Sequence, residues 1–144
     1  MKKLVLVLLA SVLVISCKTQ ENSSTTIEND TEDYSFEEDI VIGGTVINKK
    51  REKLSYVAVK LIVDDSKCIS ASTDKKGKFE IFVDPSTLTD DSYLELVYQG
   101  YTKKVVTKEN AIKWNSFTLR EEDSIVTIVD YRRYYDEMKE CNNN

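Results

Sequence analysis

The chain has 144 residues, with 20 lysines and arginines against 25 aspartates and glutamates, three cysteines and no histidine. This length suits one ordinary domain with some additional chain. The missing histidine excludes His-based acid–base catalysis, Ser–His and Cys–His dyads and His-ligated metal sites. The formal net charge of -5 argues against a nucleic-acid partner, because phosphate backbones select clustered cations.

The first 16 residues have the pattern of an export signal. A short basic stretch, Met1 to Lys3, precedes an apolar run from Leu4 to Ile15. As a helix this run would reach only ~18 Å, short of a bilayer core of roughly 30 Å, which favours a secretory signal over a spanning helix. Directly after it, Val14-Ile15-Ser16-Cys17 resembles the lipobox of bacterial lipoproteins, with an apolar residue, then a small residue, then the cysteine.

The lipobox resemblance implies cleavage between Ser16 and Cys17, diacylglyceryl transfer to Cys17 and N-acylation of the new terminus, for example with palmitate. Such acyl chains would anchor the protein in membrane lipid, since each buried CH₂ contributes about 0.8 kcal/mol. The alternative is an ordinary signal peptide in which the cysteine occurs by chance. Lys18 is compatible with outer-membrane sorting. The sequence therefore predicts a lipid-anchored protein of the bacterial cell envelope, at the outer membrane, and leaves its periplasmic or surface facing open.

Residues 18–39 have the composition of a flexible, solvated tether. Eight acidic residues against Lys18 give this segment a charge of -7, whereas residues 40–144 hold 17 bases and 17 acids. As a coil the tether would span roughly 25 Å, and fully stretched about 70 Å. It either recruits a basic partner or calcium, or acts as a self-repelling spacer. In both cases the folded domain itself is neutral.

From Ile40 onward, short apolar alternations separated by turn residues predict strands. The predicted strands cover residues 40–47, 57–63, 68–73, 79–83, 94–98, 103–107, 114–119 and 124–130. Asp74 to Gly77 predicts a hairpin between the third and fourth of them, and Asp84-Pro85 ends the fourth. The pattern predicts an all-β fold, a seven- to eight-stranded antiparallel β-sandwich over residues 40–130. For the tail, residues 131–144, a short helix and a final strand both remain open.

Several motifs along these strands carry a family resemblance. Gly44-Thr45-Val46, Val57-Ala58-Val59, the run from Thr73 to Phe79, and the run from Leu94 to Tyr101 occur in this order. Together they resemble the carboxypeptidase regulatory-like domain over roughly residues 42–119. The resemblance implies a transthyretin-like (prealbumin-like) sandwich. In many such proteins the domain precedes a TonB-dependent receptor, and here we expect no transporter, because the chain ends about 25 residues after Leu119.

Few side chains have a pattern typical of catalysis or metal binding. Asp64-Asp65 and Asp90-Asp91 are either calcium ligands or solvated loop residues, and their spacing, which is not that of a calcium loop, favours the second. The sequence has no G-x-S-x-G elbow and nothing that places two carboxylates in a cleft. We therefore expect no catalytic residue, no cofactor and no metal.

Two further segments have alternative interpretations. Tyr131-Arg132-Arg133-Tyr134-Tyr135 interleaves aromatic and cationic residues, which favours packing against the sandwich, with a platform for a protein or glycan partner as the alternative. The basic loop from Lys49 to Lys53 either contacts anionic lipid or lipopolysaccharide or is an ordinary charged loop.

Cys68 and Cys141 are candidates for a disulfide, since an exported protein enters a compartment that permits one. A bridge would close a loop of about 74 residues and contribute roughly 4 kcal/mol. The alternative is a buried thiol at Cys68 and a loose thiol at Cys141. Together these features predict a membrane-anchored, non-catalytic module that binds or scaffolds an envelope protein or glycan. An accessory of a TonB-dependent nutrient-uptake or peptidase system is the alternative.

Overall fold

The computed structural model describes residues 38–141, so the predicted signal peptide, Cys17 and nearly all of the tether lie outside the described residues. Within residues 38–141 the chain forms seven strands and two α-helices, which confirms the prediction of a mainly β fold. In chain order these are β1 (Ile40–Ile47), β2 (Ala58–Ile62), β3 (Cys68–Ser72), β4 (Lys78–Val83), β5 (Tyr93–Val97), β6 (Lys104–Thr107), α1 (Lys108–Lys113), β7 (Ser116–Thr118) and α2 (Ile128–Glu137). None of the helices found between residues 38 and 141 is long and apolar enough to cross a membrane.

The strands form two sheets. The first has the order β4-β1-β7 and the second the order β3-β2-β5-β6. All neighbours are antiparallel except β1 and β7, which pair in parallel. The prediction of purely antiparallel sheets is wrong at this pair. The physical reason is that β7 follows β6 and α1 in the chain and is not joined to β1 by a hairpin, so the two strands are free to run parallel.

The core is one buried hydrophobic cluster that contains side chains from both sheets. Alternate residues of β1, β4 and β7 on one side, and of β2, β5 and β6 on the other, join one buried hydrophobic cluster, as expected for strands with one face in the core. Its largest fully buried side chains are Phe117, Ile42, Leu61, Leu94, Leu96 and Leu119. The rings of Phe79 and Phe117 meet at 5.5 Å between centroids.

The turn from Asp74 to Gly77 does not join hairpin partners, so that prediction is wrong. β3 pairs with β2, whereas β4 pairs with β1 in the other sheet. Gly77 has a φ of 74°, and a Cβ on it would lie 2.8 Å from the carbonyl oxygen of Val46. That close approach lets the Val46 amide donate to the Gly77 carbonyl at 2.8 Å, which draws the chain onto β1. The turn residues determine that the chain reverses direction here, but they do not determine which strand β4 pairs with.

The last predicted strand, residues 124–130, is also wrong. Only Ile125 makes a bridge there, to Thr102, and α2 begins at Ile128. Thr127 caps the helix, because its Oγ1 accepts a hydrogen bond of 3.1 Å from the Asp130 amide. The tail therefore forms a helix, one of the two alternatives, although it starts three residues earlier than the tail segment.

Helix α2 covers part of the face of the second sheet that points away from the core. Ala58 of β2 and Val97 of β5 are buried there beside Met138, which follows the helix. Partly buried side chains of Val126, Tyr131, Tyr134 and Tyr135 pack against them. The second sheet thus carries two layers, the main core on one face and an aromatic helix on the other.

Candidate binding cleft

A cleft of about 340 Å³ lies between α2 and the segment that leads into β2. It is lined by Tyr56, Tyr131, Arg132, Tyr135 and Asp136, and we refer to it as the tyrosine cleft. One wall is the single residue Tyr56, and the other wall is one face of α2. Three aromatic rings, one cationic side chain and one anionic side chain therefore share a small concave surface.

Tyr56 is held in an unusual backbone conformation. Its φ is 61°, in the left-handed region. This region costs residues other than glycine roughly 1–2 kcal/mol, and bulky side chains seldom occupy it. The side chain is nonetheless 55% exposed, so packing in the core does not explain the conformation. Strain of this kind concentrates at functional sites, which makes the exposed ring of Tyr56 the first indication of one.

Thr73 fixes the backbone on both sides of Tyr56. Its buried hydroxyl accepts from the Val57 amide at 2.9 Å and donates to the Leu54 carbonyl at 2.7 Å. The Thr73 carbonyl in turn accepts from the Tyr56 amide at 2.9 Å. The polar backbone groups of the strained segment are thus paired with one side chain and its own backbone, as burial requires. Thr73 acts on the cleft as a positioning residue.

Tyr131 joins the two walls. Its hydroxyl donates a hydrogen bond to the Tyr56 carbonyl, and burial raises the pKa of this hydroxyl above its ordinary value, so it remains a donor. The ring of Tyr131 meets Tyr98 edge-on, with centroids 5.7 Å apart at 86°. On the other side it lies 6.0 Å from the Tyr135 ring, tilted by 44°. Aromatic contacts of these geometries favour a fixed ring orientation.

Arg132 and Asp136 give the cleft its polar rim. They lie one helical turn apart on α2, a spacing that puts side chains on the same face. Asp136 Oδ1 accepts from Lys139 Nζ at 2.6 Å, while the Arg132 guanidinium forms no hydrogen bond or ion pair with any of the residues 38–141. The rim therefore offers guanidinium donors and carboxylate acceptors side by side.

The middle of α2 is fixed to the sheet by a buried acid. Glu95 on β5 is only 7% exposed, although it lies on the face away from the core. It accepts from Lys103 Nζ at 2.6 Å and from the Tyr134 hydroxyl at 2.7 Å. Lys60 Nζ lies 4.4 Å from the centre of the Tyr134 ring. Burial, and next the hydrogen bond to Glu95, raise the pKa of Tyr134 above its ordinary value.

The short segment that follows α2 is attached covalently to the second sheet. Cys68 of β3 and Cys141 form a disulfide with an S–S distance of 2.06 Å, so the structure joins the two cysteines that the sequence left as either a bridge or two thiols. Next to it, Ser70 Oγ donates to the Met138 carbonyl at 2.8 Å. The helical wall of the cleft is therefore held at its start, middle and end.

The predicted calcium candidates lie apart from the cleft, and one residue of each pair, Asp64 and Asp90, has protein partners. Asp64 Oδ1 accepts from the Ser66 amide at 2.7 Å and the Lys67 amide at 2.8 Å, and these bonds, Ser66 first, lower the pKa of Asp64. Asp90 pairs with Lys108 at 2.9 Å. Among residues 38–141 no three or more Cys, Asp or Glu side chains gather where they could hold a metal ion.

The basic loop is a compact turn organised by Asn48. Asn48 Oδ1 accepts from the amides of Lys50 and Glu52, both at 2.9 Å, and its Nδ2 donates to Glu52 at 2.6 Å. Arg51 takes a φ of 64° at the tip. These contacts account for the turn without a ligand, and the lipid contact stays a prediction.

The sequence indicated only part of the site. Of the Tyr131–Tyr135 segment, the structure places Tyr134 against the sheet, as expected for packing, and exposes Arg132 in the lining of the cleft. The platform for a protein or glycan partner stays a prediction. Tyr56 and Glu95 were missed. An isolated aromatic residue in a polar loop is the only sequence signal for Tyr56. The alternation of β5 puts Glu95 on the face away from the core, and nothing in the sequence indicates that this face is covered at Glu95.

Comparisons of this chain with protein-family models, with curated proteins and with solved structures found no match in any of the three. The carboxypeptidase regulatory-like resemblance therefore remains a prediction that depends on the motifs themselves.

Proposed function

We propose that this chain is a lipid-anchored, non-catalytic binding module of the bacterial cell envelope and that the tyrosine cleft is its binding site. The observation that carries the proposal is the exposed ring of Tyr56, kept in a strained conformation opposite the aromatic face of α2. Surface aromatics of this kind combine a large apolar area with a polar tip, which suits recognition.

Two features support the envelope location. Val14 to Cys17 resembles a lipobox, which implies acylation of Cys17. The Cys68–Cys141 disulfide suits an oxidising compartment outside the cytoplasm, where such bonds form and persist. We infer acylation at Cys17, cleavage after Ser16 and association with the outer membrane.

The shared hydrophobic cluster of the two sheets supports a further, finer proposal, that they form a transthyretin-like β-sandwich. The positions of Gly77, Phe79 and Gly100 agree with the family motifs, since both glycines have positive φ and Phe79 is buried. The accessory role in an uptake or peptidase system depends on the family resemblance alone and stays a prediction.

The composition of the cleft supports a binding role without catalysis. Asp136 is the single carboxylate that lines it, and it is exposed and paired with Lys139. The chain has no histidine, and no nucleophile lies beside a base in the cleft lining.

The test has two arms. Detergent-extracted protein with an affinity tag is used to recover envelope material after crosslinking, for the unchanged chain and for a Tyr56→Ala, Tyr135→Ala double variant. We expect specific material with the first and its loss with the second, and equal recovery would refute the cleft as binding site. In the other arm, labelled palmitate should be incorporated by the unchanged chain and not by Cys17→Ala, and labelling of both or of neither would refute the anchor.

A further inference from the structure

We propose that the tyrosine cleft binds a neutral saccharide, with one sugar ring against its tyrosine rings and the sugar hydroxyls held by Arg132 and Asp136. This inference rests on the proposed function, since it names the ligand class of the same cleft.

The aromatic walls fit the apolar face of a sugar. A pyranose ring presents a patch of C–H groups that packs on an aromatic ring, while its hydroxyls point outward around the edge. Tyr56, Tyr131 and Tyr135 supply three rings, and the contacts of Tyr131 with Tyr98 and Tyr135 fix the central one. The volume of about 340 Å³ lies at the lower end of the range for small-molecule sites. It therefore suits one or two sugar rings better than a long ligand.

The polar rim fits the sugar hydroxyls. A hydroxyl both donates and accepts, whereas a guanidinium only donates and a carboxylate only accepts. The Arg132 guanidinium has no partner among residues 38–141, and Lys139 engages Asp136 at Oδ1. Adjacent hydroxyls on one sugar can accept from Arg132 and donate to Asp136 at the same time. A mixed donor and acceptor rim of this kind is a common way to fix the orientation of a ligand in a mostly apolar site.

The charges of the rim argue against other ligand classes. Asp136 would repel a phosphorylated or acidic ligand, and Arg132 would repel a cationic ligand. The two side chains together therefore favour a ligand without net charge. A proline-rich peptide also docks on aromatic grooves. Proline has no N–H, so such a peptide presents mainly carbonyl acceptors and offers Asp136 few donors. A saccharide is a neutral ligand whose hydroxyls can satisfy both charged side chains at once.

The experiment uses the full acylated protein in a detergent without a sugar headgroup, because sugar detergents would compete. A panel of neutral mono-, di- and trisaccharides of hexoses and N-acetylhexosamines is screened, and the best is titrated by calorimetry. We expect binding that weakens about tenfold or more in Tyr135→Ala and in Arg132→Ala, the size expected for loss of an anchoring side chain. Tyr135→Phe, which keeps the ring, should stay within about threefold.

Arg133→Ala is the matched control for Arg132→Ala. Arg133 is the next residue of the same helix, is exposed, and pairs with Asp130 at 3.5 Å instead of lining the cleft. Its loss should change saccharide affinity by no more than about twofold. Near-ultraviolet circular dichroism of each variant verifies that the cleft variants are folded, and Tyr135→Phe provides a second reading at the same position.

Four outcomes would overturn the saccharide assignment. The first is that the unchanged protein binds no saccharide at about 10 mM, and the second is that it prefers charged over neutral saccharides. The third is that Arg132→Ala and Arg133→Ala have equal effects on affinity, and the fourth is that a proline-rich peptide binds at the cleft in place of sugar. If envelope material is still lost with the cleft double variant while no saccharide binds, the proposed function stands and only the ligand class fails. If the unchanged protein recovers no envelope material and binds no saccharide, both the proposed function and the ligand class fail.

Discussion

Replacing Tyr56 by asparagine separates the binding role of its ring from any role in stability. Asparagine tolerates the left-handed region, where tyrosine has its φ of 61°. The substitution keeps the amide that donates to the Thr73 carbonyl at 2.9 Å and the carbonyl that accepts from Tyr131. What it removes is the aromatic wall of the cleft and the strain that accompanies it.

The two effects on stability nearly cancel. Because the ring is 55% exposed, folding buries less than half of it. Taking aromatic side chains at about 200 Å², the lost burial is roughly 90 Å², or about 2 kcal/mol at 25 cal/mol per Å². Relief of the left-handed conformation returns roughly 1–2 kcal/mol. We therefore expect the free energy of unfolding to change by less than about 1 kcal/mol, while saccharide affinity falls about tenfold or more.

Urea unfolding and saccharide titration measure the two quantities on the same samples. Tyr56→Ala also removes the ring but does not favour positive φ, so it should be less stable than Tyr56→Asn by about 1 kcal/mol. Arg51 is the control site, since it has a φ of 64° outside the cleft. Arg51→Asn should gain up to about 1 kcal/mol with unchanged binding.

Two results would refute this reasoning about Tyr56. A loss of about 3 kcal/mol or more in Tyr56→Asn, the cost typical of a deleted core aromatic, would show that the ring serves packing. Unchanged saccharide affinity in a folded Tyr56→Asn protein would remove the ring from the binding site.

Three further predictions concern the supports of the cleft. Reduction of Cys68–Cys141, which are 73 residues apart, should lower the free energy of unfolding by about 4 kcal/mol in urea titrations, and no change would contradict the bridge. Burial raises the pKa of Tyr134, so the folded chain holds this proton more tightly than the unfolded chain. The stability that this difference contributes is complete below about pH 10 and is lost as the pH rises further. Above about pH 10 the urea midpoint should therefore fall less steeply with pH in Tyr134→Phe than in the unchanged chain. Parallel curves for the two proteins would exclude this contribution of Tyr134. Thr73→Val should cost about 2–3 kcal/mol of unfolding free energy and weaken saccharide binding, because a backbone amide and a carbonyl lose their partner. Thr73→Ser keeps the hydroxyl and should cost about 1 kcal/mol. Equal losses in the two variants would argue against a role of the hydroxyl.

The strands of the fold were predictable because their signal is local. β1 occupies the predicted residues 40–47, and β2, β4 and β5 agree with their predicted bounds within a residue or so at each end. Alternation of apolar residues with period two determines which face is buried, whatever the partner strand is. The partner of a strand depends on contacts with residues far along the chain. The local signal of the Asp74–Gly77 turn therefore predicts a hairpin that the structure does not contain.

The start of α2 was misjudged because its residues have strand propensities. Ile125, Val126, Ile128 and Val129 are β-branched and favour a strand by composition. The Thr127 cap and the contacts of the tyrosines with the second sheet stabilise a helix here instead. A helix of ten residues is marginal on its own, so tertiary contacts rather than propensity stabilise it.

The candidate site was harder to predict, since it is made by that misjudged helix. Glu95 looks like an ordinary solvated residue until α2 covers it, and Tyr56 becomes part of a cleft only when Tyr131 lies opposite. Of the lining residues, Tyr131, Arg132 and Tyr135 belong to a segment that the sequence singled out. The left-handed conformation of Tyr56 has no signal in the sequence, because glycine or asparagine would be expected there.

The disulfide links the proposed location of the protein to its proposed site. The main buried cluster, which both sheets share, contains no residue of α2, so the contacts within that cluster do not involve the helix. The cleft does, because four of its five lining residues lie on α2. Without the bond between Cys68 and Cys141, the end of a short helix would be held mainly by side-chain hydrogen bonds such as that of Ser70 with the Met138 carbonyl. In the envelope location that we propose, oxidation would therefore favour the proposed binding form of the cleft. Mild reduction should weaken saccharide binding at denaturant concentrations where both sheets are still folded.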